Sequence, residues 1–207
     1  MKVVRPFGPT IAVTNMSENL VKRLNDYVDK IIADEKKSQD LDYGKKLAGN
    51  VKQEFLLDKE FSVSSGWESF LKDNVKEWIL KSTNKNIQKF KLIDSWIVRQ
   101  FENEYNPLHS HGGHISGVGY LKVPEDYGKT IQDSKNQNYN GKLQLVYGSK
   151  SFLSENAINI KPQIGDFYFF PHYLAHCVYP FQNKSAERRS ISFNAMIDND
   201  IYDVHGQ

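Results

Sequence analysis

The sequence predicts an α+β chain, mainly β: an antiparallel β-sandwich or jelly roll with amino-terminal helices packed on its back. Helical periodicity is confined to the first ninety residues. From Phe90 onward, seven short β-rich stretches follow at close spacing, punctuated by Gly141, Gly148, Pro162, Gly165 and Pro171. No Gly-rich loop joins a strand to a helix, which argues against a nucleotide-binding α/β sheet. Helices first and strands afterwards is the order expected of such layers.

Taken in order, residues 10–14 (Thr-Ile-Ala-Val-Thr) read as a short strand. Ser17 is placed to cap a helix over 18–36, where Leu20, Leu24, Tyr27, Val28, Ile31 and Ile32 recur at helical spacing. Asp34 to Asp42 is polar and reads as a loop, and residues 43–63 give no clean period. Gly66 to Lys81 is a second helix, with Trp67, Phe70, Leu71, Val75, Trp78 and Ile79 on its buried stripe. The expected strands are 92–101, 117–123, 142–147, 158–161, 166–170, 175–180 and 188–197. The polar stretch 125–140, with Asp126, Gly128, Asn136, Asn138 and Asn140, is expected to be a long loop. That loop and the segment 43–63 are where substrate contacts are expected.

At 207 residues the chain fills one domain, 1–207, with residues 1–89 as helical support and 90–197 as the β core. Its 27 basic residues nearly balance its 25 acidic ones, so nothing calls for a nucleic-acid partner. No apolar run reaches the length needed to span a bilayer, and the amino terminus has no signal-peptide core. Cys177 stands alone, which rules out an internal disulfide and a cysteine-based zinc site. A soluble, intracellular protein is expected.

Five of the six histidines fall in two clusters: Asn106-Pro-Leu-His-Ser-His-Gly-Gly-His114 and Phe170-Pro-His-Tyr-Leu-Ala-His176. Neutral imidazole is the commonest metal ligand in proteins. On a strand, residues two apart face the same way, so His109 and His111 share a face, and His176 can approach from another strand. Iron(II) accepts imidazole, and the established oxygen-activating arrangement is two histidines with one carboxylate. His111 stands where that carboxylate is expected. It either ligates or gives way to water; His114 is an alternative third ligand, and the same residues also suit zinc. His172 reads as a rim residue, His205 as solvent-exposed, and Cys177 as a buried small hydrophobe on the opposite face from His176.

A second alternation lies in Arg188-Arg-Ser-Ile-Ser-Phe-Asn194: Arg188, Ser190, Ser192 and Asn194 on one face, Arg189, Ile191, Phe193 and Ala195 on the other. A polar face inside a barrel needs a polar occupant. Arg188 offers a two-pronged fork to a carboxylate, Ser190 adds a hydroxyl, and the Tyr120 hydroxyl could reach the same acid.

These runs, with Gly112-Gly-His-Ile-Ser-Gly-Val-Gly-Tyr-Leu-Lys-Val-Pro124 and Ile164-Gly-Asp-Phe-Tyr-Phe-Phe-Pro171, resemble iron(II)/2-oxoglutarate-dependent oxygenases. The likeness spans residues 90–197. It is greatest to a sparsely characterised branch found in bacteria and marine phages, distantly similar to prolyl hydroxylases. The resemblance implies a double-stranded β-helix and a cytoplasmic enzyme of a bacterium or phage-infected cell. It implies Fe(II) on His109 and His176, with His111 at the position usually held by Asp or Glu. Arg188 would pair with the distal carboxylate of the co-substrate 2-oxoglutarate, aided by Ser190 and Tyr120. Such enzymes use O2 to convert 2-oxoglutarate to succinate and carbon dioxide while hydroxylating a substrate, here a peptidyl (prolyl-type) side chain, an amino acid or another metabolite. Two other readings stay open: a cupin-like dioxygenase or isomerase that does not use 2-oxoglutarate, and a vestigial, non-enzymatic binding module.

Overall fold

The computed structural model describes residues 1–4, 8–130 and 137–203. His205, Asn136 and the centre of the polar loop at 131–136 lie outside them. Strand β1 (Lys2–Val4) pairs antiparallel with β2 (Ile11–Asn15). The Ser17 hydroxyl then accepts from the Leu20 N–H at 3.2 Å and starts α1 (Glu18–Ile32). The helix stops short of the expected residue 36. The Asp34 carboxylate accepts from the Lys37 N–H at 3.1 Å and opens a separate helix, α2 (Glu35–Asp40). The stretch 34–42 is therefore largely helical, not a loop. Helix α2 buries none of its residues, so it leaves no apolar stripe to read.

The unperiodic segment 43–63 holds a 3-10 turn (Gly44–Lys46), β3 (Gln53–Leu56) and α3 (Lys59–Ser64), the last capped by Asp58. Gly66, at φ 84°, takes the left-handed turn that leads into α4 (Trp67–Thr83). Helix α4 buries Trp67, Leu71, Val75, Trp78 and Ile79. Both indole N–H groups find partners, Trp67 on the Ser95 hydroxyl at 3.0 Å and Trp78 on that of Thr10 at 3.2 Å.

The β core comprises β4 (Phe90–Gln100), β5 (Asn106–His109), β6 (Ile115–Lys122), β7 (Leu143–Val146), β8 (Ala157–Ile160), β9 (Asp166–Pro171), β10 (Ala175–Val178) and β11 (Arg188–Ile197). A short helix, α5 (Asn199–Tyr202), follows. These are eight strands where the sequence predicts seven; the additional one is β5, which sets His109 directly opposite His176 on β10. One sheet runs β1-β2-β9-β6-β11-β4-β3 and the other β5-β10-β7-β8, all pairs antiparallel. Together they make a double-stranded β-helix. No helix among the described residues is long and apolar enough to cross a membrane.

Strand β11 shows how the period of two divides the molecule. Ile191, Phe193 and Ala195 join the core that α1 and α4 build on the outer face of the larger sheet, with Trp67, Phe167 and Phe169. Each large side chain buried there contributes about 2–3 kcal/mol. Gly119 of β6 permits this packing, because a Cβ at that position would run into the Phe167 ring. Arg188, Ser190 and Ser192 instead face the cavity between the sheets. A smaller apolar cluster, including Val118, Tyr120, Leu143, Phe170 and Val178, closes that interior.

Candidate metal centre and carboxylate pocket

The cavity between the sheets has a volume of about 170 Å³, and its wall includes His109, His111, His176, Arg188, Ser190 and Glu54. The β5–β10 register brings His109 and His176 together, with ring centroids 4.3 Å apart. His111 reaches them by another route than expected. Strand β5 ends at His109, so His111 lies in the following loop and not on the strand. That loop is held by His172. The His111 N–H donates to the His172 carbonyl at 3.0 Å, and the His172 ring Nδ1 lies 2.9 Å from the His111 carbonyl. One ring nitrogen from each of His109, His111 and His176 lies within 4.8 Å of the other two, close enough for the three to hold a metal ion.

Their hydrogen bonds fix which nitrogen is free. His109 Nδ1 lies 2.7 Å from the Pro107 carbonyl and His176 Nδ1 lies 2.9 Å from that of Leu174. A carbonyl can only accept, so both Nδ1 atoms carry the proton, leaving Nε2 with a lone pair. His111 Nε2 and His176 Nε2 face each other at 3.1 Å. Burial pushes His111 down to about 3, reinforced by the neighbouring His176, His109 and His172. Burial likewise holds His176 down to about 4, with His109 adding to the effect. Near neutral pH the His111 and His176 rings are therefore uncharged. Two neutral imidazole nitrogens at that distance can share one proton or one cation, and the donor set suits a divalent transition metal.

The Arg188 end of the cavity supplies the complementary charge. Arg188 is 1% exposed. Nη1 donates to Gln100 Oε1 at 3.3 Å and to the Ser190 hydroxyl at 3.4 Å, while Nε and Nη2 have no partner. Ser190 pairs in register with Tyr120 on β6, placing those side chains next to each other. Tyr120 is fully buried, its ring centroid 5.0 Å from the Arg188 guanidinium carbon, and its hydroxyl is also unpartnered. Burial pushes Tyr120 up to about 12, against the opposing pull of Arg188, so its proton stays on and can be donated. A guanidinium fork and two hydroxyls converging in a buried space fit a carboxylate.

Other expectations fared unevenly. His114 is remote from the centre: its Nδ1 accepts from the Ile197 N–H at 3.2 Å and its ring stacks on Tyr202 at 3.9 Å. His172 is a strap, not only a rim residue. Cys177 is half-buried, not buried, with Sγ 3.8 Å from Gln144 Oε1. Asn194 sits at a bulge and accepts from the Ser116 hydroxyl at 2.7 Å. Two residues escaped the sequence reading. Tyr127, from the polar loop, has an unpartnered buried hydroxyl that feels the Arg188 charge. Glu54, from the unperiodic segment, is 1% exposed. No periodicity pointed to either.

Residues 94–194 match the family described as "Putative 2OG-Fe(II) oxygenase". Among solved structures, the chain is similar to a prolyl-4-hydroxylase from Pseudomonas putida, at 14% identity and TM-score 0.59, covering 89% of this chain and 91% of that one. It is similar to the viral collagen prolyl hydroxylase of Paramecium Bursaria Chlorella virus-1, solved as a 2-oxoglutarate complex, at 16% identity and TM-score 0.55, covering 89% and 94%. HygX from Streptomyces hygroscopicus, solved with nickel and 2-oxoglutarate, gives 11% identity and TM-score 0.57, covering 89% and 81%. No curated protein matches the sequence. At these identities the structural likeness speaks for the double-stranded β-helix.

Proposed function

We propose that this chain, similar through its strand core to the 2OG-Fe(II) oxygenases, is an iron(II)- and 2-oxoglutarate-dependent hydroxylase in which residues 1–89 support a catalytic core at 90–197. The observation that carries the reading is the buried, half-unpartnered guanidinium of Arg188 in the same cavity as three clustered imidazoles. His109, His111 and His176 would hold the metal. Arg188, with the hydroxyls of Ser190 and Tyr120, would hold the far carboxylate of 2-oxoglutarate. When bound, iron and 2-oxoglutarate supply the oxidising chemistry: O2 is consumed, carbon dioxide and succinate form, and one oxygen atom enters a substrate C–H bond.

The chain's own residues then have defined tasks. The Pro107 and Leu174 carbonyls fix the tautomers of two ligands. Val98, Val118, Phe170 and Val178 keep bulk water from the cavity, which strengthens the pull of Arg188 on an anion. His111 in place of a carboxylate leaves the metal about one unit more positive than two histidines and an acid would, which favours a dianionic ligand. The substrate is a peptidyl side chain or a free amino acid; prolyl hydroxylases among the structural relatives motivate the first choice.

Three neutral ligands also suit a cupin-like dioxygenase, but such an enzyme has no use for a second, anion-binding pole at Arg188. Anaerobic titration of the Fe(II)-loaded protein with 2-oxoglutarate separates the two. The expected result is a saturable metal-to-ligand charge-transfer absorption band. Iron that binds without developing the band sinks the oxygenase reading and leaves the cupin-like one.

A further inference from the structure

Strand β3 contributes a charge that the chemistry above does not use. Glu54 pairs in register with Val98 of β4 and forms part of the cavity wall. Neither of its carboxylate oxygens has a hydrogen-bond partner. Buried carboxylates are ordinarily paired, and native folds seldom keep one unpaired without a use for it.

The surroundings offer no relief. Burial pushes Glu54 up to about 7, and the charged groups that act on it, Asp42 and Glu104, are both acidic. Glu104 is itself buried and engaged by the N–H groups of Lys52 and Phe101. Arg99 is committed to Glu187 and Gln53. Lys46 shares the cavity wall, but its ammonium lies over the Tyr43 ring, 5.3 Å from the centroid. Among the described residues, no cation comes within ion-pair distance of Glu54. The turn above makes room for the carboxylate: a Cβ on Gly49 would stand 2.7 Å from Oε1.

We propose that Glu54 recognises a cationic nitrogen, an ammonium or guanidinium, carried by the primary substrate. This rests on the oxygenase reading in that the cation belongs to the molecule being hydroxylated; it names that molecule's class as a basic amino acid or a basic side chain. Two buried groups without a counter-ion, a guanidinium and a carboxyl that a cation would ionise, then sort the two ligands of one cavity. Arg188 takes the acid, and Glu54, in the field of Asp42 and Glu104, takes the base.

The test uses the full chain loaded with zinc and 2-oxoglutarate, with binding followed by saturation-transfer NMR. The probes are n-propylguanidinium and n-butylammonium, with n-propylurea and n-butanol as neutral counterparts. The cations are expected to bind at least tenfold more tightly than the neutral molecules. Glu54→Gln should erase that preference while leaving zinc and 2-oxoglutarate affinity intact and the thermal midpoint no lower. Gly49→Ala, whose Cβ crowds Oε1, should weaken cation binding in the same direction. Equal binding of ureas and guanidines, a preference that survives both variants, or a Glu54→Gln chain that fails to fold overturns the assignment. Loss of 2-oxoglutarate binding with the cation preference intact overturns the oxygenase reading instead.

Discussion

Arg188 and Arg189 are neighbours on one strand and almost equally buried, at 1% and 3% exposure, yet they live in opposite chemical conditions. Arg189 is saturated. It reaches Glu187 at 2.9 Å, Asp29 at 2.9 Å and the Asn25 side chain at 2.9 Å, tying β11 to α1. Glu187 in turn collects Arg99 at 2.6 Å and Lys122 at 2.9 Å. Arg188 has two long contacts to one nitrogen and two polar atoms with none. Burial alone does not separate a residue that holds the fold from one that waits for a ligand. Satisfaction of its donors does.

The largest effect expected from this contrast is on ligand affinity. Arg188→Ala should weaken 2-oxoglutarate binding to the manganese-loaded protein by about a hundredfold or more, because a desolvated charge pair is lost, while metal affinity changes little. Calorimetric titration measures both; equal loss of metal and acid would mean the clamp lies elsewhere. Next comes the acid limb of the stability curve. Burial tends to raise the Glu187 carboxyl, but its bonds to Arg99, Arg189 and Lys122 win and hold it at about 2. A depressed carboxyl stabilises the fold above its ordinary 4.5, and that contribution, about 2 kcal/mol once solvent screening at a partly buried site is allowed for, is lost as pH falls towards 2. Urea unfolding from pH 6 to 2 should show this slope, and Glu187→Gln should flatten it.

Arg189→Ala should cost about 2 kcal/mol of stability and leave 2-oxoglutarate affinity nearly unchanged, the mirror image of the Arg188 variant. Unfolding midpoints and ligand titrations on the same two proteins decide whether the contrast is real. The smallest effect is expected at Tyr120→Phe. Removing one hydroxyl donor to a bound carboxylate should weaken 2-oxoglutarate by about fivefold to tenfold, with stability unchanged or slightly raised because an orphan buried hydroxyl disappears. A variant that binds 2-oxoglutarate as wild type does would remove Tyr120 from the pocket.

The same pair of arginines explains what the sequence disclosed. A strand alternates its faces, so Arg188, Ser190 and Ser192 separate from Arg189, Ile191 and Phe193 on pattern alone. The helices α1 and α4 were legible for the matching reason, an apolar stripe against a sheet. Strand alternation predicts His109 and His111 on one pleat, but the strand ends at His109; the two rings meet because a loop bends back, not because a pleat repeats. Glu54 was invisible. Its burial depends on β3 lying beside β4 and on a turn folding over it, and neither leaves a period in residues 43–63. Tyr127 was hidden in the same way, as one aromatic ring in a polar stretch whose partner is distant in sequence.

Two of the three imidazoles are set by ladder register, and the third by a loop tied to both the backbone carbonyl and the ring of His172. His172 grips the backbone of His111 on both sides, and its far nitrogen lies 2.6 Å from the phenol of Tyr202, a surface residue of α5. If the three rings hold an ion as proposed, it meets two donors placed by the ladder and one whose place depends on the His172–Tyr202 contact. Under that proposal, a change of ion radius is expected to be taken up first at the His111 ring, and the crystallographic signature would be one ligand bond that tracks ionic size while its two companions hold still.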